Sequence, residues 1–146
     1  MFVSSRLSAK GDNVAMVPAH TAVALAAQRM RLHKCGALLV SDDGGRTIAG
    51  IISERDIAHA VPEHGAELGQ MQVSELMSRK VIACRPEDNI RSVMRTMTTR
   101  RFRHMPVVGG DGKLLGIVSI GDVVKHLIDE LELEANILRD VATAHH

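Results

Sequence analysis

An internal repeat limits the possible folds of this chain more than any other feature of its sequence. With an offset of 67 residues, VAMVPA at 14–19 aligns with VIACRP at 81–86. One extra residue in the first copy then reduces the offset to 66, and GIISERD at 50–56 aligns with GIVSIGD at 116–122. Self-similarity at a fixed spacing indicates two copies of one supersecondary unit.

Each copy begins with the same predicted strand, turn and helix. A short β-type run at 14–17 or 81–84 leads into a turn that contains proline. A helix is then predicted to begin near Thr21 in the first copy and near Asp88 or Asn89 in the second, where side-chain oxygens can cap free backbone N–H groups. The predicted buried stripe of these helices is Val23, Ala26, Ala27 and Met30, which aligns with Ile90, Val93, Met94 and Met97.

A hairpin and a second helix complete each copy. The predicted hairpin strands are 37–40 with 47–53 and 105–108 with 113–119. The intervening turns, SDDGGR and GGDGK, contain the Asp-Gly pairs that favour tight hairpins. A second helix is predicted to begin at Asp56 and at Asp122, which gives the order β-α-β-β-α twice. The predicted fold class is therefore α/β (α+β).

The predicted helix after Asp122 is the longest, and its apolar face is wider than one packing contact needs. Its main stripe consists of Val124, Leu127, Ile128, Leu131, Ala135, Leu138 and Ala142, and an adjacent row consists of Leu133, Ile137 and Val141. Two interpretations stay open. The face packs on the core of its own chain, or it forms a contact between two copies.

Composition narrows the classes of function. The chain has 146 residues, of which 45% are hydrophobic and 24% charged, and its formal net charge of +1 gives no sign of a bulk polyelectrolyte role. The only aromatic residues are Phe2 and Phe102, so a flat ligand is expected to lie between aliphatic side chains, and stacking on single-stranded nucleic acid is disfavoured. No segment resembles a membrane span or a signal peptide. We therefore expect a cytoplasmic protein without membrane association.

No pattern of residues points to catalysis or to a metal. Cys35 and Cys84 match neither a CxxC motif nor a zinc pattern and are expected to be buried, reduced thiols. Ser53 and Ser119 lack the neighbouring His and acid of an activated nucleophile. The histidines without metal-ligand spacing are His33, His59, His64 and His126. A non-enzymatic protein with no metal site is expected.

The doubled unit, with Gly-aliphatic-aliphatic-Ser-x-x-Asp after its third strand, resembles a pair of CBS domains, the Bateman module named after cystathionine β-synthase. The resemblance covers about residues 8–130. It implies a first domain at 8–62, a second at 73–130 and a C-terminal helical extension at 131–146, with the repeats packed about a pseudo-twofold axis. Proteins of this family are usually regulatory sensors. They bind adenosyl ligands in clefts between the repeats and often form disc-like dimers.

The Ser-x-x-Asp motif allows two interpretations. At a strand-to-helix turn, Asp56 or Asp122 can accept hydrogen bonds from the vicinal hydroxyls of a ribose, with Ser53 or Ser119 beside it. Alternatively, the same residues cap the helix that follows, a role that contributes about 1 kcal/mol and needs no ligand. With the family resemblance added, ribose binding is the expectation for at least one site.

The resemblance also implies where the adenine base would lie, because in the family the slot is formed by the opposite repeat. The implied neighbours of a base held at Asp56 are Val81, Ile82, Ala83, Met105 and Pro106. The implied neighbours of a base held at Asp122 are Val14, Ala15, Met16, Gly36 and Ala37.

The two sites are expected to differ at the phosphate. Arg103 and His104 precede the strand of the second repeat, where relatives place basic residues for phosphates, and an Arg fork suits phosphate oxygens. The aligned positions of the first repeat are Gly36 and Ala37, which carry no charge. Arg55 of the first repeat, in contrast, has only Gly121 as its counterpart. The Asp56 site is therefore expected to prefer a phosphorylated nucleotide.

Together these features predict a non-catalytic adenine-nucleotide sensor. AMP is the first choice of ligand, with ATP, NAD(H) or S-adenosylmethionine as further choices. A homodimer is expected, and a regulated enzyme or transporter acting in trans would be its target. The alternative is a module that binds nucleic acid or a partner protein through the basic segment 79–103, with vacant nucleotide clefts.

Overall fold

The first repeat forms a three-stranded sheet covered by helices. The computed structural model describes residues 16–144, so Val14 and Ala15 of the first predicted strand lie outside the described residues. The elements are β1 (Met16–Val17), α1 (Val23–His33), β2 (Ala37–Val40), β3 (Gly50–Ser53) and α2 (Glu54–His64). The strand order is β1-β2-β3, with β1 parallel and β3 antiparallel to β2.

The second repeat keeps this order but has only two strands in its sheet. A 3₁₀ helix (Gly65–Gln70) and α3 (Val73–Leu76), neither of them predicted, connect the repeats. The second repeat then contains α4 (Ile90–Arg100), β4 (His104–Val108), β5 (Leu114–Ser119) and α5 (Ile120–Ala144). Strands β4 and β5 are antiparallel. The mixed α/β fold with two repeats and a long C-terminal helix is therefore confirmed.

The strand predicted at 81–84 is wrong, because only one residue of that segment pairs with β4. Cys84 forms an isolated parallel bridge with Val107, in which Cys84 N donates to Pro106 O at 2.9 Å and Val108 N donates to Cys84 O at 2.8 Å. The next bond of a parallel ladder would need an N–H at residue 106. Proline has none, so the ladder stops there.

The starts of the helices also differ in detail from the prediction. Asn89 caps α4 as predicted, with its Oδ1 accepting from Arg91 N at 2.8 Å. In the first repeat, Ala22 takes the cap position without a side-chain bond, so the predicted cap near Thr21 is wrong. Helices α2 and α5 begin two residues earlier than predicted, at Glu54 and Ile120, because the serine before each of them lies at the start of the helix.

Equivalent backbone features recur in both repeats at the predicted offsets. Helices α1 and α4 both end in a residue with left-handed backbone, Lys34 (φ 53°) and Arg101 (φ 60°). At each Ser-x-x-Asp turn, the first backbone N–H of the following helix donates to the carbonyl of the residue just before β2 or β4. These bonds run from Glu54 N to Gly36 O at 2.9 Å and from Ile120 N to Arg103 O at 2.8 Å. The two repeats therefore present their Ser-x-x-Asp turns in the same local setting.

Each repeat has its own apolar core. Most of the predicted helix stripes are buried, namely Val23, Ala26 and Met30 in α1 and Ile90, Val93 and Met97 in α4. Met94 is half-buried, and Ala27 is exposed, so its predicted burial is wrong. Helix α5 contacts the second core through Ile120, Val123 and Leu127. Its residues from 131 to 144 are all exposed. Among residues 16–144, no helix is both long and apolar enough to cross a membrane.

Candidate functional site

The first Ser-x-x-Asp turn is a reciprocal capping box at the start of α2. Asp56 N donates to Ser53 Oγ at 3.2 Å, and Asp56 Oδ2 accepts from Ser53 N at 2.9 Å and from Ser53 Oγ at 3.0 Å. This arrangement satisfies backbone donors that a helix start leaves unpaired. Both bonds to the carboxylate use Oδ2, so the second carboxylate oxygen, Oδ1, has no partner among the described residues. Asp56 therefore caps its helix and still has an oxygen that can accept from a ligand.

The second turn repeats this geometry. Asp122 N donates to Ser119 Oγ at 3.1 Å, and Asp122 Oδ2 accepts from Ser119 N at 3.1 Å. The two boxes agree within a few tenths of an ångström although the residues between Ser and Asp differ. Capping is therefore a structural role that both motifs fulfil, and it does not distinguish between the two sites.

A cavity of about 410 Å³ lies beside Asp56 and joins the two repeats. Its lining consists of Gly36, Ile51, Ser53, Glu54, Arg55, Asp56, His59, Ser78, Arg101, Phe102, Arg103 and His104. The first repeat contributes the start of α2 and the end of β3. The second contributes the turn between α4 and β4. The volume lies within the range of small-molecule sites.

The charges around this cavity favour an anionic ligand. Three guanidinium groups, those of Arg55, Arg101 and Arg103, line it, and all three residues are exposed at its rim. Two carboxylates, Glu54 and Asp56, also line it. Three guanidinium groups against two carboxylates leave an excess of positive charge at the rim, and this excess suits phosphate oxygens.

Gly36 makes room for His104 between the repeats. A Cβ atom at Gly36 would lie 3.3 Å from His104 Nε2 and 3.4 Å from His104 Cε1, which is a tight contact. Gly36 aligns with Arg103 of the second repeat, so the first repeat lacks a side chain where the second repeat inserts its imidazole. The glycine at position 36, where the second repeat has Arg103, is therefore needed for the packing of His104 between the repeats.

Five residues predicted for the Asp56 site lie together in the structure. Ser53, Arg55, Asp56, Arg103 and His104 all line the cavity. Gly36 lines it too, although it was expected beside Asp122. Ser119 and Asp122 lie outside this lining.

The predicted adenine walls do not line the cavity, apart from Gly36. Met105 is 1% exposed and Ala37 3% exposed, so both side chains belong to the cores of their repeats. Val81, Ile82 and Met16 are half-buried, Pro106 is buried and Ala83 is exposed. Val14 and Ala15 lie outside the described residues. Contact of these residues with a base stays a prediction.

Several residues of the cavity were missed by the sequence reasoning. Arg101, which ends α4 with left-handed backbone, lies exposed at the cavity rim, and no sequence signal singled it out. Phe102 also lines the cavity, so an aromatic ring is in reach where only aliphatic walls were expected. Ser78 reaches the site through an antiparallel bridge with Ile51, which no sequence signal indicated. The other missed residues are Ile51, Glu54 and His59.

The remaining candidate features take separate positions. In the basic segment 79–103, Arg101 and Arg103 face the cavity, whereas Arg91 pairs with Glu130 at 3.9 Å. Binding of nucleic acid through this segment stays a prediction. Within residues 16–144, no three His, Cys, Asp or Glu side chains are grouped so that they could hold a metal ion. Cys84 is buried, and this burial, together with the charge of Asp88, raises the pKa of its thiol to about 12.

Comparison with known proteins identifies the family. The family model described as CBS domain matches residues 10–63 and 73–129. The chain therefore belongs to the CBS domain family, whose members are typically regulatory, non-catalytic modules.

The chain is similar to several members of this family. It is 37% identical over 108 residues to the mitochondrial CBS domain-containing protein CBSX3 of Arabidopsis thaliana, covering 72% of this chain but 52% of that protein. The chain thus spans about half the length of this curated relative. A CBS-domain protein of Agrobacterium tumefaciens, known from its crystal structure, has 40% identity and a TM-score of 0.81 over 86% of this chain and 98% of its own.

A more distant structure shares the fold. A CBS domain protein of Pyrobaculum aerophilum, solved in complex with AMP, has 21% identity and a TM-score of 0.74 over 84% of this chain and 89% of its own.

Proposed function

We propose that this chain is a non-catalytic regulatory sensor that binds an adenine nucleotide between its two repeats, with AMP as the first choice. The observation that carries this proposal is the cavity at Asp56. It combines a carboxylate of the first repeat with Arg103 and His104 of the second. A ligand that contacts both repeats binds the arrangement in which they are correctly placed, and so it shifts the conformational equilibrium by its differential affinity.

The two ends of the cavity suit the two ends of a nucleotide. Oδ1 of Asp56 would accept hydrogen bonds from ribose hydroxyls, while the capping box holds the carboxylate in place through Oδ2. Arg55, Arg101 and Arg103 would bind the phosphate, because charge-assisted hydrogen bonds from guanidinium groups are strong and directional. The Asp122 site lacks an equivalent of Arg103, since Gly36 occupies that position. We therefore propose two unequal sites.

The ligands bound by related structures support an adenosyl ligand, but they do not select one particular compound. The Pyrobaculum protein was solved with AMP. Another CBS domain pair was solved with 5′-methylthioadenosine and S-adenosylmethionine. S-Adenosylmethionine carries a cationic sulfonium, which the guanidinium-rich rim of the Asp56 cavity disfavours. AMP, ATP and NAD(H) carry phosphate and fit this rim better.

The sensor would act through other molecules, because no catalytic constellation is found among the described residues. We propose a homodimer as the acting form and an enzyme or transporter as the regulated partner in trans. The ligand would change the affinity for this partner by favouring one arrangement of the repeats.

A pair of matched variants tests the nucleotide site. Asp56→Ala and Asp122→Ala each remove the carboxylate half of an equivalent capping box and leave the bond to the serine Oγ, so both should lose about 1 kcal/mol of stability without ligand. Only Asp56→Ala should also lose the rise in Tm that AMP gives to the wild-type protein. That rise corresponds to about 2.7 kcal/mol when the ligand concentration is a hundred times the Kd. The measurement is thermal unfolding with AMP, ATP, NADH and S-adenosylmethionine.

Two results would contradict the proposal. One is the absence of a thermal shift with all four ligands at millimolar concentration. The other is an equal loss of response in both variants, since that would reflect loss of helix capping and not loss of a specific ribose contact.

A further inference from the structure

Helix α5 extends beyond the body of the protein and carries an uncovered apolar seam. We propose that the part of this seam from residue 131 to residue 142 pairs with the same segment of a second copy of the chain, in an antiparallel two-helix contact. The seam consists of Val124, Ile128, Leu131, Ala135, Leu138 and Ala142. This proposal does not depend on nucleotide binding, because none of these residues lines the cavity at Asp56.

The spacing of the seam is that of a helix-pairing surface. Its members alternate in steps of four and three residues from 124 to 142, which places them in one stripe along the helix. Helix α5 has 25 residues and is therefore about 37 Å long. The part of the seam from Leu131 to Ala142 has three of these alternating steps and gives four layers of side chains against an antiparallel second helix.

The seam is exposed along its whole length. Val124 is 38% exposed, Ile128 50%, Leu131 54% and Leu138 70%. The two alanines are exposed as well. The second core of the chain contacts the start of the helix, through Ile120, Val123 and Leu127, and none of these residues lies between 131 and 142. Exposed apolar patches of this kind mark interaction surfaces.

The charges beside the seam suit a second copy in antiparallel orientation. Glu132 and Arg139 flank the seam on the same side, two turns apart. If Leu131 of one copy lies against Ala142 of the other, and Ala135 against Leu138, then Glu132 lies beside Arg139 of the other copy. In this register the contact covers residues 131–142, and Val124 and Ile128 lie beyond the end of the partner helix. Twofold symmetry forms this pair twice.

Neither Glu132 nor Arg139 has an oppositely charged partner within the described part of the chain. Glu132 and Arg139 are about 10 Å apart along one helix, too far to pair with each other. The positions three and four residues away from either of them carry no opposite charge. No ion pair of residues 16–144 includes them. Their complementarity is therefore satisfied only across the contact.

The first test uses two leucines on opposite sides of the same helix. Leu131 lies in the seam and is 54% exposed, whereas Leu133 is 59% exposed and lies outside the seam. The two side chains point about 160° apart around the helix axis. Leu131→Glu should convert the dimer to a monomer in sedimentation velocity, and Leu133→Glu, which adds the same charge, should leave a dimer. Circular dichroism checks that both variants fold.

The second test exchanges the charges. Glu132→Arg alone and Arg139→Glu alone should each weaken the dimer about tenfold, because each turns two attractive pairs into two repulsive ones. The double variant Glu132→Arg/Arg139→Glu should recover the wild-type Kd. Recovery can arise only between copies, since the two residues do not meet within one helix.

Three outcomes would overturn the proposal. A wild-type chain that sediments as a monomer at high micromolar concentration would leave the seam to a different partner. A dimer that survives Leu131→Glu would place the interface elsewhere. If Glu132→Arg/Arg139→Glu does not recover the dimer affinity and Glu134→Arg/Arg139→Glu does, the two helices are parallel. The thermal response to AMP should stay unchanged in Leu131→Glu, so the failure of this proposal is distinct from that of the nucleotide site.

Discussion

Replacement of Gly50 by alanine is expected to disturb the fold and the candidate site together. Gly50 is the first residue of β3. A Cβ atom there would lie 2.7 Å from both Ser78 O and Met77 Sδ. The next residue, Ile51, exchanges two backbone hydrogen bonds with Ser78, at 3.0 and 2.9 Å. Ile51 and Ser78 both line the cavity at Asp56.

The cost follows from these distances. Atoms in van der Waals contact lie about 3.5–4.0 Å apart, so the new methyl group overlaps its two neighbours by roughly 1 Å. One neighbour is a backbone carbonyl in a bonded pair and cannot rotate away. Since overpacking costs about 1–3 kcal/mol, we expect about 2–3 kcal/mol for Gly50→Ala. In a chain of this size such a loss lowers Tm by about 8–12 °C.

The assay is thermal and urea unfolding of Gly50→Ala beside Gly110→Ala. A Cβ atom at Gly110 has no heavy atom within 4 Å, and this residue does not have a positive φ. The control should therefore stay within about 1 kcal/mol of the wild type. Gly50→Ala should also bind AMP more weakly, because Ser78 must move. Equal stabilities of the two variants would refute the proposed contact between β3 and the segment after α3.

Two further predictions concern titratable groups. Cys84, with its pKa raised to about 12 by burial, should react with a thiol reagent at pH 8 far more slowly than the half-buried Cys35, and equal rates followed by absorbance would contradict this. The pKa of Asp43 lies below its ordinary value of 3.8, chiefly because its carboxylate accepts from Thr47 N. This bond therefore stabilises the protein above that pH and is lost as the pH falls through the lowered pKa. Asp43→Asn should flatten the acid side of the stability profile, and an unchanged profile would speak against it.

The sequence was sufficient for the features that depend on local pattern. The helix stripes, the hairpins and the doubled Ser-x-x-Asp turns follow from periodicity and turn chemistry, and the structure reproduces them. The meeting of Asp56 with Arg103 and His104 was predicted only with the help of the family resemblance. Nothing in the local pattern states that residues nearly fifty positions apart come together.

Local sequence pattern could not predict features that depend on a single absent N–H group or on contacts between distant segments. The strand at 81–84 was lost because Pro106, on another segment, lacks the N–H that a longer ladder needs. Arg101 entered the cavity rim because α4 ends in a left-handed residue, a conformation that the sequence does not indicate for arginine. Gly36 joined the Asp56 cavity because His104 occupies the space beside it.

The separation of the two apolar cores has a consequence for how the molecule opens. Within residues 16–144, the buried cluster of the second repeat draws only on residues 84–123, and those of the first repeat draw only on residues 17–77. Without shared core residues, each repeat can open as a cooperative unit of its own. A molecule bound at Asp56, Arg103 and His104 touches both units and is released when either opens. A bound molecule would therefore couple the opening of the two repeats. Amide protons far from the cavity, in both repeats, would then exchange with solvent more slowly than in the unbound protein.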